Sequence, residues 1–187
     1  MPRRGEGRFR DSWIVGGIIE AAIRLDGVRK NVYHATMRIY LDICSIQRPL
    51  DDQSQLCIAT ETEAILGILD LVERSELTLL KSAAHAIETQ QNPYPDRKDH
   101  ALAVLSLASH YLATTSEVTE RAKTFAGAEI KRLDALHLAL AVEGEADFFC
   151  TTDDKLLHCG RKADTKETLV VSPLELVDHV DQSRSQS

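Results

Sequence analysis

From Met37 onward the chain alternates short apolar runs with helical stripes, and that alternation limits the fold more than any other feature. Arg38–Asp42 (RIYLD) reads as a strand, and Ser54–Arg74 carries an apolar stripe at helical spacing through Ile58, Ala64, Ile65, Ile68, Leu69 and Val72. Leu77–Lys81 reads as a second strand, with Ser82 capping a helix that stops before Asn92-Pro93-Tyr94-Pro95. A helix is predicted over Asp96–Ala113, a short strand at Glu117–Val118, and a helix capped by Thr119 that reaches Ala126. Ile130–Glu143 is strongly helical, Asp147–Cys150 (DFFC) a strand, Asp153–Cys159 a helix and Thr168–Val171 a last strand, before Pro173 opens a short helix. Strands alternating with helices predict an α/β/α sandwich around a central parallel sheet. Right-handed crossovers place helices on both faces, and the ligand site of such a sheet lies beyond the carboxyl ends of its strands.

At that edge MRIYLDICSIQRPLDDQ ends an apolar strand on an acid, Asp42, and runs into a polar turn with Arg48, Asp51 and Asp52. A carboxylate at the mouth of a buried strand is costly unless something pairs with it, and a metal ion is one such partner. Three more acids are weighed with it, two of them at a helix start or strand end. Glu88 lies on the helix after the second strand, Asp134 near the start of an apolar helix, and Asp153 after the fourth strand in FFCTTDDK. Each has a plain structural role as well. Asp42 suits a turn, Glu88 an exposed helix face, Asp134 a pair with Arg132 or His137, and Asp153 a helix cap. Four carboxylates gathered at one edge repel one another unless a cation holds them.

The 187 residues suffice for one domain with a sizeable core. No apolar run approaches the roughly 20 residues of a transmembrane helix. The basic start MPRRGEGRFR leads into no signal-peptide pattern, so the cytoplasm is the expected compartment. Cys44, Cys57, Cys150 and Cys159 form no CxxC pair or zinc spacing and read as free thiols, with a Cys44–Cys150 disulfide as the alternative. The formal charge of −7 is uneven: seven Lys/Arg against four Asp/Glu in residues 1–36 give +3, and fifteen against twenty-five in residues 37–187 give −10. So acidic a body is no general binder of nucleic acid, whose nonspecific affinity comes from phosphate neutralisation. Residues 1–36 read as an N-terminal extension, with a short strand or helix at Ile14–Leu25, or as sequence ahead of a true start at Met37. Residues 37–180 form the domain and 181–187 a polar tail.

The motifs YLDICSIQRPLDD, IETQQNP, LDALHLALA and DFFCTTDDKLL, in this order and spacing, resemble the PIN domain family of metal-dependent nucleases. Within that family the chain looks like the VapC-like toxins of bacterial toxin–antitoxin pairs, over about Met37 to Val180. The resemblance implies a parallel sheet in strand order 3-2-1-4-5, with Asp42, Glu88, Asp134 and Asp153 as the catalytic and metal-holding acids; Asp154, Glu61 and Glu63 are the neighbours considered beside them. Hard oxygen ligands suit Mg²⁺ or Mn²⁺. Such ions would polarise a phosphoryl oxygen and activate water for hydrolysis of RNA. His137, three residues after Asp134, is expected to pack or support, and Arg48, Lys131, Arg132 and Lys155 are candidates for touching phosphate. The family often carries Ser, Thr or Asn two residues after the first acid, where Cys44 stands here. The resemblance also implies a small cognate antitoxin placing a cation in the acidic site, and a homodimer. A catalytically inactive PIN-like binding module is the alternative. A phosphatase of the haloacid dehalogenase type would need a second Asp at position 44.

Overall fold

The computed structural model describes residues 36–185. The extension, including the apolar run Ile14–Leu25, and the last two residues lie outside them. Five strands, β1 (Arg38–Leu41), β2 (Thr78–Ser82), β3 (His110–Leu112), β4 (Phe148–Cys150) and β5 (Leu169–Val171), form one sheet in the order 3-2-1-4-5. All four pairings are parallel, with Ile39 opposite both Leu79 and Phe148, and Phe149 opposite Val170. This is the order that the resemblance implied.

Both faces of the sheet are buried, as the continuous apolar strands require. Side chains alternate along each strand. Ile39, Leu41, Leu79, Phe148, Cys150 and Val171 face one layer, which receives α2 (Leu56–Glu73), α4 (Pro95–Ser106) and α8 (Pro173–Ser185). Tyr40, Leu80, Phe149 and Val170 face the other, which receives α3 (Ala83–Gln91), α5 (Ser116–Gly127), α6 (Arg132–Glu143) and α7 (Asp154–Gly160). Tyr40 is the one side chain among these ten strand positions that ends in a hydroxyl, and that hydroxyl becomes important below.

The structure corrects the sequence in three places. The third strand is His110–Leu112, not Glu117–Val118, and α4 stops at Ser106 instead of reaching Ala113. Thr115, not Thr119, caps α5: its hydroxyl accepts from the Val118 amide, while the Thr119 hydroxyl donates to the Thr115 carbonyl inside the helix. The edge strand is largely exposed, so it carries no inward–outward pattern to read. The turn after Asp42 is ordered as a short helix, α1 (Ile43–Gln47), followed by a 3-10 turn at Arg48–Leu50. Helix α8 continues through Ser185, into the segment expected to be a tail.

All four cysteines are free. Among the described residues, no helix is long and apolar enough to cross a membrane.

Candidate metal centre

Strand β1 ends at Leu41, and the Asp42 amide still donates to the Cys150 carbonyl of β4, at 2.9 Å. Asp42 therefore stands at the carboxyl edge of the two central strands, only 5% exposed. Its Oδ1 caps α1 by accepting from the Ile43 amide at 2.8 Å. Its Oδ2 accepts from the Cys44 thiol at 3.0 Å and the Thr151 hydroxyl at 3.1 Å. Burial first, then the charge of Asp42, pushes the Cys44 thiol up to about 12, so it remains a proton donor. Cys44 thus supplies the hydrogen bond that a hydroxyl or amide would supply at this position.

Glu88 projects from α3, half-exposed, and its Oε2 lies 2.9 Å from Nε2 of His137 on α6. His137 is fully buried. Its Nδ1 lies 2.7 Å from the Tyr40 hydroxyl, which lies 2.6 Å from Ser82 Oγ. Ser82 caps α3, where the His85 amide donates to its hydroxyl and its own amide donates to His85 Nδ1 at 3.1 Å. His85 Nε2 donates to the Leu41 carbonyl at 2.8 Å, which leaves Nδ1 as the acceptor. Burial, with His137 beside it, lowers His85 to about 3, so the ring is neutral. Burial above all, with Asp42 and Glu88 adding and Ser82 opposing, keeps Tyr40 a phenol. These polar groups sit in an apolar layer, and their mutual hydrogen bonds are what make that burial tolerable.

Asp134 opens the first turn of α6, and Asp153 is the cap of α7. Asp153 Oδ1 accepts from the Lys155 and Leu156 amides at 2.9 and 3.0 Å, so the capping role considered from the sequence is real. Its amide accepts support from Thr151, donating to the Thr151 hydroxyl at 3.1 Å, and Thr151 therefore links Asp153 to Asp42. The Lys131 ammonium lies 3.3 Å from Asp153 and 3.8 Å from Asp134. Burial alone would raise Asp153, but the Leu156 amide, Lys131 and the Lys155 amide together hold it below the usual carboxylate range. Asp134 is held above that range, by burial first and Asp42 next, with Asp153 and Glu88 adding and Lys131 opposing.

The four acids predicted from sequence thus share one field at the sheet's carboxyl edge. The tightest set of donor atoms is narrower: Asp42, Glu88 and His137 each offer an atom within 4.8 Å of the others. Asp134 and Asp153 are not in that set and are spanned by Lys131 instead. Asp134 pairs with Lys131, not with Arg132 or His137. Among the neighbouring acids, Glu61 is 2.8 Å from Arg48, and Glu63 and Asp154 are exposed. Arg48 is itself tied down, to Asp51, Glu61 and the Thr152 carbonyl, so it braces the loop after β4 rather than standing open to phosphate. Arg132 and Lys155 are exposed. A divalent ion fits the donor set, because two carboxylates and a ring nitrogen converge where acids repel one another. Beside Glu88 opens a cleft of about 730 Å³, lined by Gln47, Gln91, Asn92, Tyr94, Arg97 and Leu133.

The raised Asp134 has a measurable consequence. Its folded form holds a proton more tightly than the unfolded chain, whose ordinary value is 3.8. Its contribution favours folding at low pH and is lost as pH rises through the raised folded value. Metal-free Asp134→Asn should therefore melt above wild type at pH 7, and the two should converge near pH 3. Thermal melts across that range in chelator check this, and a wild-type advantage at pH 7 would contradict it.

No family model and no curated protein matches the sequence. Among solved structures, VapBC2 from Rickettsia felis, bound to a DNA fragment from their promoter, is 15% identical and aligns over 73% of this chain and 98% of its own, with a TM-score of 0.47. PAE2754 from Pyrobaculum aerophilum is also 15% identical, over 83% of this chain and 99% of its own, with a TM-score of 0.44.

Proposed function

We propose that the chain is a metal-dependent endoribonuclease of the PIN type, the toxin of a toxin–antitoxin pair. The observation that carries this reading is the convergence of Asp42, at the end of β1, and Glu88, on α3, at the carboxyl edge of the sheet, each with an oxygen within 4.8 Å of the other's. In this reading Asp42 and Glu88 hold a divalent ion, Mg²⁺ or Mn²⁺, with Asp134 and Asp153 reaching it directly or through water. The ion supplies Lewis-acid activation of a phosphoryl oxygen and of the attacking water. Asp42 is held in place by the Ile43 amide on Oδ1 and by Cys44 and Thr151 on Oδ2, which leaves Oδ1 a lone pair open to the ion. Asp134, held above the usual carboxylate range, is the acid best placed to take a proton from water entering beside it.

The acidic body argues against broad phosphate binding and favours a partner that brings its own cations. Lys131 lying across Asp134 and Asp153 supports such a partner, because these carboxylates already accept an ammonium. A basic side chain of an antitoxin entering the same place would displace Lys131 and block the ion.

A pooled RNA library with Mg²⁺ or Mn²⁺, with and without chelator, tests the activity. Wild type should cleave only with metal, and Asp134→Asn should cleave far more slowly. Cleavage that survives chelator, or equal cleavage by the variant, would refute the reading. The cleft beside Glu88 is the route for the strand, and Tyr94 stands 65% exposed on its wall. Stacking of one base on an aromatic ring is worth about 1–3 kcal/mol. Tyr94→Ala should weaken single-stranded RNA binding about tenfold and leave Mn²⁺ affinity unchanged, as measured by fluorescence anisotropy and titration calorimetry.

A further inference from the structure

We infer that the bound ion takes Nε2 of His137 as a ligand beside Asp42 and Glu88, so that the centre is a mixed nitrogen–oxygen site selecting Mn²⁺ over Mg²⁺. The inference rests on the proposed metal-holding role of Asp42 and Glu88 and adds a ligand that an all-carboxylate centre lacks.

Three features of His137 support it. His137 belongs to the tightest donor set, a ring nitrogen within 4.8 Å of an oxygen of both Asp42 and Glu88, whereas Asp134 and Asp153 lie outside it, and Nε2 is the nitrogen 2.9 Å from Glu88 Oε2. The ring is fully buried, so its direction is set by packing and hydrogen bonds, not by solvent. Those hydrogen bonds also suit a ligand. A histidine that binds a metal through one nitrogen donates its other N–H to a fixed acceptor, which sets both tautomer and ring angle. The Tyr40 hydroxyl stands 2.7 Å from Nδ1 and serves as that acceptor.

The protons can be followed to the end of the chain. With the proton on Nδ1, His137 donates to Tyr40, and Tyr40 donates to Ser82 Oγ at 2.6 Å. Ser82 then turns its hydroxyl proton toward His85 Nδ1 at 3.4 Å, sharing with its own amide, 3.1 Å away, the nitrogen that carries no proton because His85 Nε2 donates to the Leu41 carbonyl. Every proton finds an acceptor, and Nε2 turns a lone pair toward the carboxylates. Without an ion, that lone pair would face Glu88 Oε2 across 2.9 Å. The metal-free network avoids this by running the other way: Nε2–H donates to Glu88, Tyr40 donates to Nδ1, and Ser82 donates to Tyr40. The two arrangements differ by exchange of one imidazole proton through water and by turns of two hydroxyls. The Tyr40–His137 and Tyr40–Ser82 contacts serve both arrangements.

An imidazole nitrogen favours first-row transition ions over Mg²⁺, which prefers an all-oxygen shell. Mn²⁺ added alone to the full chain is the test, read by titration calorimetry and by pulsed electron paramagnetic resonance. One specific Mn²⁺ site is expected, at least about tenfold tighter than Mg²⁺, with a directly bound nitrogen visible in the spin-echo modulation. The modulation should change on ¹⁵N labelling and vanish in His137→Gln. Tyr40→Phe, which keeps the ring packing and removes the proton acceptor, should weaken Mn²⁺ binding about 10- to 100-fold. Specific Mn²⁺ binding with no coupled nitrogen in wild type would overturn this inference and leave the carboxylate centre and the nuclease reading standing. The absence of any specific Mn²⁺ binding would overturn both.

Discussion

Replacing Asp42 with Asn should slow RNA cleavage severely while leaving the fold as stable as before, or more so. The two carboxylate oxygens do separate jobs. Oδ1 caps α1 through the Ile43 amide, and the Asn carbonyl keeps that bond. Oδ2 accepts from Cys44 and Thr151, both of which carry acceptor atoms as well as protons and can turn to receive the Asn amide. Only the charge is lost. That charge is the second largest cause of the raised Asp134, so its removal relieves repulsion in the metal-free protein. The same charge is what attracts and fixes the ion. An ion contributes several kcal/mol of charge stabilisation in the transition state. At about 1.4 kcal/mol per tenfold, the expected loss is on the order of two to three decades in single-turnover cleavage. Thermal melts in chelator should show a midpoint at or above wild type, and added Mn²⁺ should no longer raise it. A variant that cleaves at the wild-type rate would sink the site. One that loses activity only in step with its fold would make Asp42 a structural acid.

Three of the four acids show in the sequence because they sit at punctuation points in the chain, whereas Glu88 lies inside α3. Asp42 ends an apolar strand, Asp134 begins an apolar helix, and Asp153 follows a strand and caps the next helix. Local patterns of two and 3.6 residues are enough to place β1, β2, β4 and β5 and hence the edge where the acids meet. Those patterns fail at His110–Leu112, because an exposed edge strand of three residues has no buried face to declare itself. They also fail at the supporting network. Tyr40 touches Ser82 across 42 residues of chain and His137 across 97, and nothing local in YLD or in LDALHLALA announces either contact. A polar ring within an otherwise apolar helix was the one available sign, and it is equally the sign of a packed core histidine. Thr151 carries even less signal, since a buried threonine after a strand is ordinary. It becomes important only when β4 lies beside β1 and the hydroxyl meets Asp42.

That network depends on the core beneath it, and Phe149→Ala should show how strongly. Phe149 lies at the middle of β4, fully buried, with its ring stacked on Tyr40 at a centroid distance of 5.6 Å. Truncating a buried Phe to Ala costs about 3–5 kcal/mol, from lost transfer and from the cavity left behind. In a domain of this size each kcal/mol moves the melting midpoint by roughly 2–4 °C. The expected fall is therefore about 6–20 °C, large enough to separate from every surface substitution. Its second consequence is more telling. Tyr40 is held on one side by Phe149 and on the other by His85, whose ring stacks on it at 4.5 Å. Removing Phe149 frees one face of the phenol that orients His137. An ion at about 100 times its dissociation constant stabilises the folded state by about 2.7 kcal/mol. Wild type should show that full gain in its Mn²⁺ melts, and Phe149→Ala a smaller one at the same concentration. Phe149→Leu, which fills more of the cavity, should fall between the two in both respects. If Phe149→Ala lost its stability but kept the entire Mn²⁺ gain, the core would carry the fold without setting the ring that faces the metal.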